Sequence, residues 1–457
     1  MVNVSPRDTE QQRSDPPCRG NILRRSGLFA DLHGKRKSGP VCCQQKRHSR
    51  TEKNKVTSQH IIQGIKKTVA RKPRSLSSAS NPQGKMAGVT IMEEKEVERR
   101  KFLKGAALAG TGAVLAAPAV AQGTKTITIV STWPRDFPGL GISAQRLAER
   151  ITALSDGALT TEYFAAGERV GAFDAFDEVA SGNSQAYIGA DYYWGGKHPA
   201  YNYFTSVPFG MSTQEWTAWI RFGGGQELWD ELAGSFGLKA IACGSTGTQA
   251  GGWFNKEIES RDDLKGLKMR IPGLGGTVMS KLGASTVSLP GGQIYENLVS
   301  GAIEATEWVG PFNDYFMKFY EAAKIYYTGG MHEPGGGLAF GMNASWYGTL
   351  TDWEKAVIEA ACAEEHDMSH SEAMAKNGEY LSKLVNDHGV EVKAFNDDVW
   401  DAFGEASAEV FEEVRDHSDL AARVDTNFQQ KLREIGGTIA QFEGNFLNQR
   451  NRILGLG

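Results

Sequence analysis

Glu307 and Glu333 are the residues of this chain best placed to do chemistry. Glu307 stands with Trp308 directly before Val309-Gly310-Pro311, where a strand must end in a turn. Glu333, between His332 and Pro334, follows Tyr326-Tyr327-Thr328-Gly329-Gly330 in a second segment of the same kind. Two carboxylates brought to one site repel unless a cation or a proton lies between them. Arg270, one residue from the end of the β-rich segment 267–271, adds a guanidinium that can grip a carboxylate through two parallel hydrogen bonds. Gln249, in the Gly-rich stretch 244–252, offers a neutral oxygen. Together these types describe a small carboxylate held through a bound cation. Taken singly, Arg270 reads as a surface ion-pair residue and Gln249 as a solvated loop amide.

Strand ends must carry such residues, and the pattern supplies them. Thr126-Ile127-Thr128-Ile129-Val130 alternates as a strand. A helix follows with Leu147, Ile151 and Leu154 on one face and Arg146, Glu149 and Arg150 on the other, and a second β-rich segment spans 159–164. That β-α-β order predicts an α/β domain with a parallel sheet. A short buried strand over 186–190 empties into Asp191-Tyr192-Tyr193-Trp194-Gly195-Gly196, aromatics that read equally as core or as the wall of an apolar pocket. Tyr192, Tyr193, Trp194 and Trp253 would then set the pocket's volume. After the strand 238–243 the chain needs a crossover, which places a lobe boundary near Thr248. A helix over 351–371, with Trp353, Val357, Ile358 and Ala361 inward, is long enough to bridge two lobes, and 390–395 is a late edge strand. The end of the chain is helical, and its Phe442 and Phe446 either pack on their own subunit or form a dimer surface.

Composition divides the 457-residue chain. Residues 1–85 carry a net charge of +14 in a chain that sums to −4, with no apolar periodicity, as in a disordered segment. From Met92 the text becomes a signal: Arg99-Arg100-Lys101-Phe102-Leu103-Lys104, an uncharged Ala/Gly/Leu run, and Ala119-Val120-Ala121 ahead of Gln122. The paired arginines resemble a twin-arginine export signal, with Glu98 where Ser or Thr is usual. Residues 92–121 are therefore expected to direct the protein to the periplasm. Residues 1–91 read as a disordered basic segment, and translation is expected to start at Met86 or Met92, leaving 1–85 outside the protein. Export conflicts with a nucleic-acid-binding tail. Cys243 and Cys362, the two cysteines after the signal, could form one disulfide or stay as buried thiols. Zinc-protease, nucleophile-elbow and dinucleotide motifs are all incomplete.

Leu264-Lys265-Gly266-Leu267-Lys268-Met269-Arg270-Ile271-Pro272-Gly273 and Gln293-Ile294-Tyr295-Glu296-Asn297-Leu298-Val299-Ser300-Gly301-Ala302-Ile303-Glu304-Ala305 resemble two signature stretches of a known family. These are the extracytoplasmic solute-binding proteins of TRAP (tripartite ATP-independent periplasmic) transporters. Asp191-Tyr192-Tyr193-Trp194 and Glu307-Trp308-Val309-Gly310-Pro311 are similar to the branch that binds 2-oxoacids such as pyruvate, or lactate, with a metal cation. The resemblance implies a two-lobed periplasmic-binding-protein fold of α/β class, with a hinge, a long bridging helix and a C-terminal helical extension. Lobe I would comprise 122–247 and 336–377, lobe II 248–335 and 378–430, and the C-terminal helix 431–457. It also implies that Arg270 binds the carboxylate and that Gln249, Glu307, the Trp308 carbonyl and Glu333 hold Na⁺ or Ca²⁺. Tyr193, Trp194, Trp308, Gln249 and Asn313 join Arg270 as substrate-binding candidates. A membrane permease and a homodimer partner follow from the same likeness. The chain should do no catalysis, the alternative being a periplasmic enzyme acting on a small carboxylate. Losing Arg270 should weaken binding and leave the fold intact.

Overall fold

The computed structural model describes residues 123–456; the basic segment and the export signal lie outside the described residues. Eleven strands form two sheets. The first runs β2 (Leu159–Phe164), β1 (Lys125–Ser131), β3 (Ala186–Gly189), β10 (Gly337–Asn343), β4 (Leu238–Ser245). The second runs β11 (Glu391–Ala394), β9 (Ile325–Thr328), β5 (Gly252–Phe254), β8 (Ala305–Thr306), β6 (Lys268–Arg270), β7 (Ser285–Val287).

Neither sheet is wholly parallel, which corrects the expectation from β-α-β order. β10 pairs antiparallel with both β3 and β4, and β5 pairs antiparallel with both β8 and β9. Each is a strand on which the chain enters from the other sheet. β5 follows the passage after β4, and β10 follows the passage after β9, each arriving antiparallel to its neighbours, whereas β11, which also enters from the first sheet, pairs parallel with β9. Elsewhere the pairings are parallel, with central strands such as β3 buried and the edge strands β2, β7 and β11 partly exposed.

The helices used below are α1 (Leu140–Leu154), α2 (Gly273–Lys281), α3 (Gly291–Val299), α4 (Pro311–Met317), α5 (Asp352–His388) and α6 (Asp397–His417). α5 is longer than expected: its 37 residues span about 55 Å at the usual rise. A capping box at Thr351 and Glu354 starts it, and Gly389 with φ 67° stops it. Val357, Ile358 and Ala361 are buried as expected, but Trp353 faces solvent. α5 lies against β4 of the first sheet and α1, which packs on that sheet's β2, and against α4, which follows β8 of the second sheet. Cys243 and Cys362 are both free and buried.

One buried group on α5 makes stability depend on pH. The His366 ring donates from Nδ1 to the Gly244 carbonyl (2.9 Å), and its Nε2 lies 2.8 Å from the Thr217 hydroxyl oxygen. Burial lowers its pKa to about 4, against opposing help from Gly244 and Asp367 and with Arg221 and His370 adding to the fall. The unfolded ring takes up a proton near pH 6.5, so stability is complete above that pH and is lost as pH falls towards 4. Ligand-free denaturation curves should show the wild type losing up to about 3 kcal/mol relative to His366→Gln over that window. Parallel pH profiles for the two proteins would contradict it.

Candidate functional site

The charged residues gather at the carboxyl ends of strands, where open α/β sheets bind ligands. Arg270 ends β6, Glu307 follows β8, Glu333 follows β9, Gln249 follows β4, and Tyr192 and Tyr193 follow β3. Backbone hydrogen bonds tie these loops together. Gln249 N donates to Glu333 O and Gly330 N to Gln249 O, both at 2.9 Å, and Ala250 N donates to Val309 O at 2.9 Å. Close packing requires glycine at 336, where a Cβ would stand 2.4 Å from Thr246 Oγ1 and 2.8 Å from Glu333 Oε2.

Arg270 and Glu307 form a fully buried ion pair, with side chains 1% and 0% exposed. Arg270 Nη1 donates to Glu307 Oε1 and to the Glu307 carbonyl (3.3 Å), and Nε donates to Leu289 O (3.1 Å). Nη2 has no partner. The guanidinium stands 5.5 Å from the centre of the Trp308 ring, a cation–π contact. Gln249 Nε2 donates to Glu333 Oε2 (2.5 Å) and to Thr246 Oγ1 (3.1 Å), while its Oε1 is buried and unpaired.

Two buried carboxylates thus face one guanidinium. Burial, and then the charge of Glu307, push Glu333 up to about 7. His332 brings a third group, its Nε2 3.3 Å from Glu307 Oε2. Burial draws its pKa down, but the hydrogen bond and charge of Glu307, with the charge of Glu333, outweigh this and raise it. Glu307, His332 and Glu333 present potential ligand atoms within 4.8 Å of one another. His332 is already hydrogen-bonded to Glu307 and so orients that carboxylate. The remaining donors are oxygens, which suit Na⁺ or Ca²⁺ better than zinc.

The other candidates divide. Tyr192 and Tyr193 wall the site, and burial raises the pKa of both phenols. Trp308 lies beneath Arg270 with its Nε1 unpaired. Asn313 is buried directly against Gly139, where a Cβ would stand 1.9 Å from its Oδ1, and that oxygen is unpaired. Trp194 turns away: its Nε1 donates to Phe173 O (2.8 Å) and its ring packs on Phe176 and Tyr187. Trp253 is core as well, its Nε1 bonded to Asp314 Oδ2 (3.0 Å).

Two functional residues escape sequence reasoning. His332 sits beside Glu333, and the missing second His of a zinc protease is the only test that spacing suggests. Asp314 braces the turn bearing Glu307 and Trp308. Its carboxylate accepts from Val309 N (3.0 Å), Trp253 Nε1 (3.0 Å) and the Tyr326 hydroxyl (2.9 Å), and burial pushes its pKa up to about 7. The acidic residue just inside a helix that follows Gly-Pro was its sequence signal.

Fold and site together define a solute-binding protein. Residues 130–417 match the DctP model, bacterial extracellular solute-binding protein family 7, and the chain belongs to that family. Over 325 residues it is 37% identical to a monocarboxylate 2-oxoacid-binding periplasmic protein of Nostoc sp., covering 69% of this chain and 89% of that protein. A TRAP periplasmic solute-binding protein from Pseudoalteromonas atlantica T6c, solved with bound sodium and pyruvate, superposes with a TM-score of 0.69 at 33% identity, over 71% of this chain and 99% of that one. Another, from Colwellia psychrerythraea with bound calcium and pyruvate, gives 0.69 at 35% identity, over 72% and 100%.

Proposed function

We propose that this protein captures a small 2-oxoacid such as pyruvate, or lactate, in the periplasm and delivers it unchanged to a TRAP membrane permease. Arg270 would bind the carboxylate, and Gln249, Glu307, the Trp308 carbonyl and Glu333 would hold a cation. One observation carries the reading. Of the ten buried side-chain polar atoms without a partner among the described residues, four belong to these candidates: Arg270 Nη2, Trp308 Nε1, Gln249 Oε1 and Asn313 Oδ1. Each such atom costs about 1–3 kcal/mol left unmet. The donors suit a carboxylate, and the Gln249 oxygen suits a cation. That cation would supply the positive charge that two glutamates and a ligand carboxylate lack. Counting charges favours Ca²⁺, whereas the relatives hold either ion.

The lobe division at 247/248, 335/336 and 377/378 is supported by the passages between sheets after β4 and β9 and by the bridging α5. Closure by bending at these passages would shut the ligand in. Homodimer formation through 431–457 is supported by Phe442, Phe446, Ile453 and Leu454, large apolar side chains exposed on the last helical stretch. Export through the twin-arginine segment rests on its sequence.

Thermal unfolding of protein stripped of ligand and metal tests the reading. Pyruvate, 2-oxobutyrate or lactate should stabilise it only with Na⁺ or Ca²⁺ present, by about 2.7 kcal/mol at a hundredfold excess over Kd, and succinate should not. Stabilisation by pyruvate without any cation would refute the shared site. An enzyme acting on the carboxylate would consume it, so mass spectrometry should recover the acid unaltered.

A further inference from the structure

Behind the site loops of each sheet stands a buried aspartate held in the same way. On the second sheet it is Asp314, between the Trp253 indole and the Tyr326 hydroxyl. On the first sheet it is Asp191, 0% exposed: Oδ1 accepts from the Tyr187 hydroxyl (2.9 Å) and Oδ2 from Trp229 Nε1 (2.8 Å). Asp314 braces the turn bearing Glu307 and Trp308. Asp191 occupies the matching place for Tyr192 and Tyr193, since it follows β3 and opens the single 3-10 turn Asp191–Trp194.

Both donors to Asp191 are fixed by packing. The Tyr187 ring lies so close across β10 that a Cβ at Gly341 would stand 2.1 Å from its Cζ. Trp229, fully buried on the helix Gly225–Gly234, stacks on Phe204 with ring centres 5.1 Å apart. One residue beyond Asp191, Tyr192 N donates to Thr205 Oγ1 (3.3 Å). The loop that carries the two phenols therefore hangs from a carboxyl clamped between a strand and a helix.

That carboxyl adds little to stability. Burial pushes its pKa up to about 7, against the hydrogen bonds of Trp229 and Tyr187, and no cation pairs with it among the described residues. Apolar packing of the same volume would hold the fold as well. What a carboxyl supplies and apolar packing does not is direction, because a hydrogen bond tolerates only a limited range of angles.

We propose that Asp191 is a positioning residue for ligand retention. Through Tyr187 and Trp229 it holds the phenols of Tyr192 and Tyr193 against the site, and it governs how long the acid stays rather than how fast it arrives. Arrival is left to Arg270, Glu307 and Glu333, none of which shares a hydrogen bond with Asp191. The inference rests on the proposed 2-oxoacid site.

Stopped-flow binding of pyruvate, with Na⁺ and Ca²⁺ present, measures the two rates separately. Asp191→Asn keeps the volume and leaves one donor without an acceptor. It should raise the dissociation rate about tenfold or more and hold the association rate within about twofold of wild type. Tyr187→Phe removes a donor from the same carboxyl and adds no bulk. It should shift the same rate in the same direction, and it decides the question if Asp191→Asn does not fold. Asp425→Asn, on the helix Asp419–Lys431, is the control for general loosening. That aspartate is also buried, accepts from the Tyr203 hydroxyl (2.7 Å) and Arg415 Nη1 (2.9 Å), and its substitution should leave both rates unchanged. The inference is overturned if the folded variants release pyruvate at the wild-type rate, if the association rate falls as far as the dissociation rate rises, or if Asp425→Asn speeds release as much. A wild type that binds no pyruvate at all would strike the 2-oxoacid site itself, and this inference with it.

Discussion

Arg270→Ala should weaken pyruvate binding by about a hundredfold or more and should also destabilise the ligand-free protein. Binding suffers because the guanidinium is the charged donor with a free nitrogen at the site, and such pairs are worth about 2–5 kcal/mol when truncated. The second effect departs from the expectation of an intact fold. Arg270 is the buried partner of Glu307, and removing it leaves a carboxylate in the interior with only His332 beside it. Breaking a buried pair from one side costs about 3–5 kcal/mol. Denaturation with and without Ca²⁺ distinguishes the two effects: the cation should restore more stability to the variant than it adds to wild type. Affinity equal to wild type would remove Arg270 from the site.

Glu307→Gln tests the cation and the substrate together. The substitution removes one of two carboxylates expected to hold the ion and leaves Arg270 buried without a charged partner. Reciprocal coupling requires that whatever the cation contributes to pyruvate affinity, pyruvate contributes to cation affinity. Calorimetric titrations of each ligand at fixed concentrations of the other should therefore show both affinities falling, about a hundredfold each. A variant that loses cation binding and keeps wild-type affinity for pyruvate would show that the two do not share a site.

Much of this site was legible because punctuation marks it. Glycine and proline after Glu307 and around Glu333 say where strands end, and strand ends in α/β sheets are where ligands lie. Arg270 and Gln249 were different: taken singly they read as a surface ion-pair residue and a solvated loop amide, only the family resemblance assigned them to a site, and the structure buries both. The aromatics were not legible either, because a Trp beside a Gly-rich loop looks alike whether it faces a cleft or the core. Trp194 and Trp253 went to the core, and in each the indole N–H found a partner there, Phe173 O and Asp314. Strand direction escaped for a different reason. Local pattern fixes which residues form β10 and β5, while their antiparallel pairing follows from chain passages between sheets that no short window contains. The exposed Trp353 likewise shows periodicity assigning a face one residue too far round the first turn of α5.

The backbone ties among the site loops have a kinetic meaning. Gln249 is bonded to Glu333 and Gly330, Ala250 to Val309, and Arg270 to Glu307, so the charged groups form one unit anchored on the second sheet. From the first sheet come Tyr192 and Tyr193, which carry no charge. An open protein would then display a complete docking face, and shutting it would add only a lid of phenols. Arrival of the acid should be governed by the field of that face and by salt, and its departure by how often the lid lifts.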